Sequence, residues 1–137
     1  MRIAVTGASG NVGTSVLRAL IADERVESIV GIARRRPDWR PAKVAWVTAD
    51  VASDSLAEHF RGADVVIHLA WLIQPSRDEQ ATRRTNVEGS EHVFDAVADA
   101  GVGSLGYASS VGAYSPRDAI ASPVDESWPT GGINSSF

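Results

Sequence analysis

The chain contains no cysteine. That excludes a disulfide framework, thiolate chemistry and any zinc site built on cysteine. Lysine is nearly missing too, with Lys43 alone. No apolar run is long enough to cross a bilayer. The N-terminus lacks the basic, apolar and small-residue succession of a secretory signal. There is no excess of basic residues, since the formal net charge is -4. A broad nucleic-acid-binding face needs such an excess. These absences predict a cytoplasmic domain that engages neither nucleic acid nor membrane.

What is present describes a folded chain. Hydrophobic residues make up 44% of the 137 and charged residues 22%, a balance that supports one domain with a real core over residues 1–137. Ile3-Ala4-Val5-Thr6 is a short apolar run before glycines and predicts a buried strand. Residues 11–22 carry Val12, Val16, Leu17, Leu20 and Ile21 at helical spacing. Further strands are predicted at 28–32, 44–47, 64–69 and 104–108. The fourth of these five is apolar nearly throughout, as suits a strand covered on both faces. Residues 53–60 predict a short helix with Asp54 near its start. Residues 77–100 predict a longer helix after Pro75, with Val93, Val97 and Ala100 on one stripe and Gly101 as its stop. From Ser115 onward Pro, Gly and Ser predict an exposed loop.

Strands and helices alternate, so the fold class is α/β, a Rossmann-type doubly wound parallel sheet with right-handed crossovers. Gly7-Ala8-Ser9-Gly10-Asn11-Val12-Gly13 lies between the first strand and the first helix. In that context a glycine pattern becomes a phosphate site. Gly7 permits the tight turn, Gly10 lets backbone approach a diphosphate, and Gly13 lets the helix pack closely on the sheet. The helix start, at Asn11 and Val12, offers unpaired N–H groups and partial positive charge.

The spacing is G-x-x-G-x-x-G, preceded by Thr6. In this the sequence resembles the extended short-chain dehydrogenase/reductases, the NAD-dependent epimerase/dehydratase family. The resemblance continues through Ala49-Asp50-Val51, His68-Leu69-Ala70, Thr85-Asn86-Val87-Glu88-Gly89-Ser90 and Tyr107–Tyr114. It implies an oxidoreductase, epimerase or dehydratase that moves a hydride to or from a hydroxyl or carbonyl of a small-molecule substrate. It implies that Asp50 bonds the adenine amino group and Val51 lines the ring, although Asp50 could equally cap the helix that follows. Leu69, Ala70 and Trp71 would lie along the cofactor's ribose and diphosphate. Trp71 departs from the small residue usual in the family, and core packing is an equal reading for it. Asn86 would hold the loop after the fourth strand. His68, at a strand end, is expected to be structural.

Where NAD-binding members of the family carry an acid at the end of the second strand, this chain has Ala33 followed by Arg34. A carboxylate would repel a 2′-phosphate, whereas Arg34 offers it a forked, permanently charged donor. The expected cofactor is therefore NADP, with NAD as the alternative. A solvated basic loop is the other reading of Arg34 to Arg36.

In the family a Ser or Thr, a Tyr and a Lys share the reaction. Ser110, four residues before Tyr114, matches the serine that orients the substrate oxygen; a strand-end hydroxyl bonded to backbone is the competing reading. No Tyr-x-x-x-Lys pair occurs in the chain. The resemblance therefore implies the N-terminal part of a longer protein, or a truncated product, incomplete after the fifth strand and without the substrate-binding part. A redox-inert dinucleotide-binding module is the alternative function. An uncovered fifth strand predicts a marginally stable chain that is either a homodimer or aggregation-prone, and related enzymes often dimerise through helices that include the one holding Asn86.

Overall fold

The computed structural model describes residues 1–72, 78–116 and 123–131. Pro75 and the segment from Ile133 to Phe137 lie outside the described residues.

Five strands form one parallel sheet: β1 (Arg2–Thr6), β2 (Ser28–Ala33), β3 (Val44–Thr48), β4 (Val65–His68) and β5 (Leu105–Tyr107). Their order is β3-β2-β1-β4-β5, so the chain reverses its direction of travel across the sheet between β1 and β4. In open α/β sheets that switch point is where ligands sit, outside the carboxyl ends of the strands. The glycine loop follows β1 and residues 69–72 follow β4, so both flank it.

Helices cover both faces. Helix α1 (Asn11–Ala22) buries Leu17 against Ile3, Val5 and Ile29 on one face. On the other, α2 (Ala57–Phe60) and α4 (Gly89–Asp99) pack Phe60, Val93 and Val97 on Ala4, Ile32 and Val66. The alternation of Ile3 and Val5 with Ala4 is the two-residue period of a strand covered on both sides.

The predicted long helix is continuous but not uniform. It comprises α3 (Glu79–Arg83), a π-helical turn at Arg84–Glu88, and α4. Gly101 ends it with φ +69°, and the bonds from Gly101 N–H to Ala98 and Val102 N–H to Val97 form a Schellman motif. The short helix is shorter than predicted. It begins at Ala57, and Asp54 does not cap it; the Asp54 carboxylate instead accepts from Asp50 N–H at 2.8 Å and closes a turn. After β5 a 3-10 turn (Val111–Ala113) was not anticipated. Beyond it, Ser115 N–H donates to the Pro129 carbonyl and Trp128 Nε1–H donates to the Ser115 carbonyl.

Strand β5 is exposed along its length and is, with β3, one of the two edge strands among the described residues. The rings of Tyr107 and Phe94 meet edge to face at 5.2 Å beside it, each still partly exposed. Among the described residues, no helix is long and apolar enough to cross a membrane.

Candidate functional site

A cleft of about 210 Å³ opens at the switch point. Its floor is the glycine loop, through Gly7 and Gly10. One wall is the end of β2 with Arg34, together with Asp50 and Val51 after β3. The other is Leu69, Ala70 and Trp71 after β4. The sequence-predicted residues Gly7, Gly10, Arg34, Asp50, Val51, Leu69, Ala70 and Trp71 thus line a single cavity. Asn11, Val12 and Gly13 form the adjoining first turn of α1. Asn86 is buried behind the second wall. Ser110 is brought to neither wall; it is exposed, and its Oγ accepts from Gly112 N–H at 3.1 Å.

The glycines have different causes. Gly7 has φ +68°, and a Cβ there would stand 2.6 Å from Leu69 and Ala70 backbone atoms. The loops after β1 and β4 therefore touch only because Gly7 has no side chain. A Cβ at Gly13 would collide with Ala8 and the Gly7 carbonyl, which fixes how closely α1 enters. Gly10 is not demanded in this way. Its φ of -74° suits any residue, and a Cβ would only press the Gly7 carbonyl at 3.3 Å. What Gly10 leaves free is backbone surface facing the cleft.

Helix α1 begins at Gly10 with no side-chain cap and no acidic residue in its first turn. Its first N–H groups and its dipole are therefore available to an anion. Across the cleft, Arg34 and Arg35 are exposed, and among the described residues neither pairs with a carboxylate. Asp50 does two things at once. Its Oδ1 accepts from Ala52 N–H at 3.0 Å, and the residue still lines the cleft.

Asn86 sits in the π-helical turn and is 4% exposed. Its Oδ1 accepts from Leu72 N–H at 2.8 Å, and its Nδ2 donates to the Leu72 carbonyl at 3.1 Å. The strand-four loop is thus held by one carboxamide. His68 is structural: it is 1% exposed, with both ring nitrogens bonded to protein, Nδ1 to Thr6 Oγ1 at 2.5 Å and Nε2 to Ser90 Oγ at 3.0 Å. Burial pushes its pKa down to about 4, so the ring is neutral. Tyr107 stacks on it at 5.4 Å.

Ser9, Arg35 and Thr85 also line the cleft and had no role assigned from sequence. Arg35 was visible as the neighbour of Arg34, and Thr85 as the neighbour of Asn86. Beyond the end of β2 the two-residue strand period no longer says which side chains face the cleft, and both Arg34 and Arg35 do.

The family model described as the NAD dependent epimerase/dehydratase family matches residues 3–136. An L-arabinose 1-dehydrogenase (NAD(P)(+)) of Haloferax volcanii is 37% identical over 109 residues, covering 79% of this chain and 40% of that protein. An uncharacterized protein of Mycobacterium tuberculosis is 37% identical over 118 residues, covering 85% of this chain and 13% of that protein. A short-chain dehydrogenase/reductase superfamily protein from Agrobacterium tumefaciens, solved with bound NAD, superposes with a TM-score of 0.83 at 28% identity. That superposition covers 99% of this chain and 40% of the solved one. The chain therefore spans less than half the length of these relatives. With its glycine loop, its switch-point cleft and a family match over nearly its whole length, this chain belongs to the NAD dependent epimerase/dehydratase family.

Proposed function

We propose that this chain is a dinucleotide-binding domain that holds NADP(H) in the switch-point cleft. The observation that carries the reading is the uncapped start of α1 beside Gly10, opposite two arginines that pair with no carboxylate among the described residues. The residues fit the group. Backbone N–H groups of Asn11, Val12 and Gly13 would hold the diphosphate, and Gly10 would let it come close. Arg34 would hold the 2′-phosphate, with no acid at Ala33 to oppose it. Asp50 and Val51 would meet the adenine, and Leu69, Ala70 and Trp71 the ribose and diphosphate.

The bound dinucleotide would supply the hydride donor or acceptor. The whole protein would use it on a hydroxyl or carbonyl of a small molecule, with Ser110 orienting the substrate oxygen. The names of the relatives favour carbohydrate substrates: an L-arabinose dehydrogenase and a protein solved with UDP-glucuronic acid and NAD. These 137 residues contain no Tyr-x-x-x-Lys pair to act as the acid/base.

Amide NMR during addition of NADPH tests the site. Shifts confined to the amides of residues 7–13, 34–35, 50–51 and 69–71 support it. Shifts elsewhere, or none at millimolar ligand, contradict it.

A further inference from the structure

Behind the cleft lies a row of buried polar side chains that no contact with a ligand would require. Thr6, His68, Ser90 and Asn86 are each 4% exposed or less. Thr6 ends β1, one residue before the glycine loop, and is in register with His68 at the end of β4. Their side chains share the sheet face on which α4 packs, and there His68 meets Ser90.

The directions of the hydrogen bonds follow from one end. Ser90 Oγ–H donates to the Asn86 carbonyl at 2.7 Å. Its oxygen is then left to accept, so His68 Nε2 carries the proton and donates to it. His68 Nδ1 is bare and accepts from Thr6 Oγ1–H. A buried chain of this kind costs desolvation unless every member is satisfied, and each bond fixes the next. Its last member is the backbone of Asn86, whose carboxamide grips Leu72.

The π-helical turn is the place where such a reference is needed. A π turn is rare and, where it interrupts an α-helix, is frequently found at a functional site. This one and the start of α4 that continues it together touch both walls of the cleft. Asn86 holds the Leu72 backbone on one side. On the other, a Cβ at Gly89 would stand 3.1 Å from Val51, and His92 Nδ1–H donates to the Val51 carbonyl at 2.8 Å.

We infer that Thr6, His68 and Ser90 are positioning residues for the dinucleotide cleft: they set the register of the π-helical turn, and through Asn86 they place the Leu69–Trp71 wall against the glycine loop. The inference rests on the dinucleotide reading above for its purpose, and on the hydrogen bonds alone for its mechanism.

A double-mutant cycle between Ser90→Ala and Asn86→Ala, read as the NADPH dissociation constant, tests it. Each single change is expected to weaken binding about tenfold. Because Ser90 acts through Asn86, the double variant is expected to bind no worse than Asn86→Ala alone. Ser90→Thr, which keeps the hydroxyl, should bind like the parent. Additive losses, or a Ser90→Ala variant with a lowered melting temperature and unchanged affinity, would overturn the inference. Hydrogen exchange at the Leu72 amide provides a readout without ligand. Ser90→Ala should speed exchange there while leaving the β1 and β2 amides unchanged, and unchanged exchange at Leu72 overturns the inference. If the parent binds no dinucleotide, the functional reading fails, and the exchange result still decides the mechanism.

Discussion

The carboxamide of Asn86 bonds both polar groups of the Leu72 backbone, with its Oδ1 2.8 Å from the amide nitrogen and its Nδ2 3.1 Å from the carbonyl oxygen. A side chain fourteen residues away along the chain thereby does what a strand neighbour would do for a residue just past the end of β4. Asn86→Ala leaves two half-buried backbone groups without these partners. It should lower stability by about 1–3 kcal/mol. Asn86→Asp keeps the acceptor but sets a buried carboxylate oxygen against the Leu72 carbonyl, so at pH 7 it should be at least as destabilising as Asn86→Ala in a urea unfolding series.

The glycine loop separates stability from binding. Gly7→Ala forces a Cβ into the Leu69–Ala70 backbone at positive φ, and should destabilise the fold by about 3 kcal/mol or more. Gly10→Ala has an ordinary φ and should cost about 1 kcal/mol or less. Its loss should instead appear in NADPH affinity, because the new methyl group occupies the surface facing the cleft. Thermal melts and titrations of both variants check the contrast.

The buried His68 makes stability depend on acid. Its folded pKa, about 4, lies below its value of 6.5 in an unfolded chain, so the unfolded state takes up the proton first. The contribution is complete above about pH 6.5 and is lost as pH falls from there through 4. Asp23, Asp54 and Asp125, whose carboxyls are held below the usual range by hydrogen bonds, lose theirs only at lower pH. Melting temperature should therefore decline between pH 6.5 and 4. A His68→Gln variant should be less stable at pH 7 and lack this part of the decline.

How much of this was legible in the sequence varies with the distance over which the cause acts. The limits of α1 followed from the glycine loop, because a tight turn into a helix is local chemistry. The Schellman end at Gly101 was local too. Asp54 was misplaced because an aspartate before a helix can cap it or close the turn ahead of it, and the sequence near it permits both. The π-helical turn was hidden, since apolar spacing over residues 77–100 shows a helix and not one extra residue within it. The bond between Thr6 and His68 joins positions 62 apart, and its existence depends on the register of β1 against β4. Periodicity does not carry that register. Arg34 was legible as a cation at the end of β2, but the company of Arg35 in the cleft was not.

The edge at β5 has a consequence for association. Leu105 and Tyr107 of β5 and Phe94 of α4 remain partly exposed beside the outer edge of β5, which pairs with no strand among the described residues. Such an edge invites strand pairing. Sedimentation of the 137-residue chain should show a weight-average mass that rises with concentration, and Tyr107→Lys should suppress the rise.

The central claim is that the cleft between Gly10 and Arg34 holds a dinucleotide and prefers one with a 2′-phosphate. Calorimetric titration with NADPH and with NADH, repeated on Arg34→Ala, tests it most directly. The parent should bind NADPH at least about tenfold more tightly than NADH, and Arg34→Ala should remove that preference while leaving NADH affinity nearly unchanged. No binding of either dinucleotide, or NADH binding equal to or tighter than NADPH binding, would contradict the account.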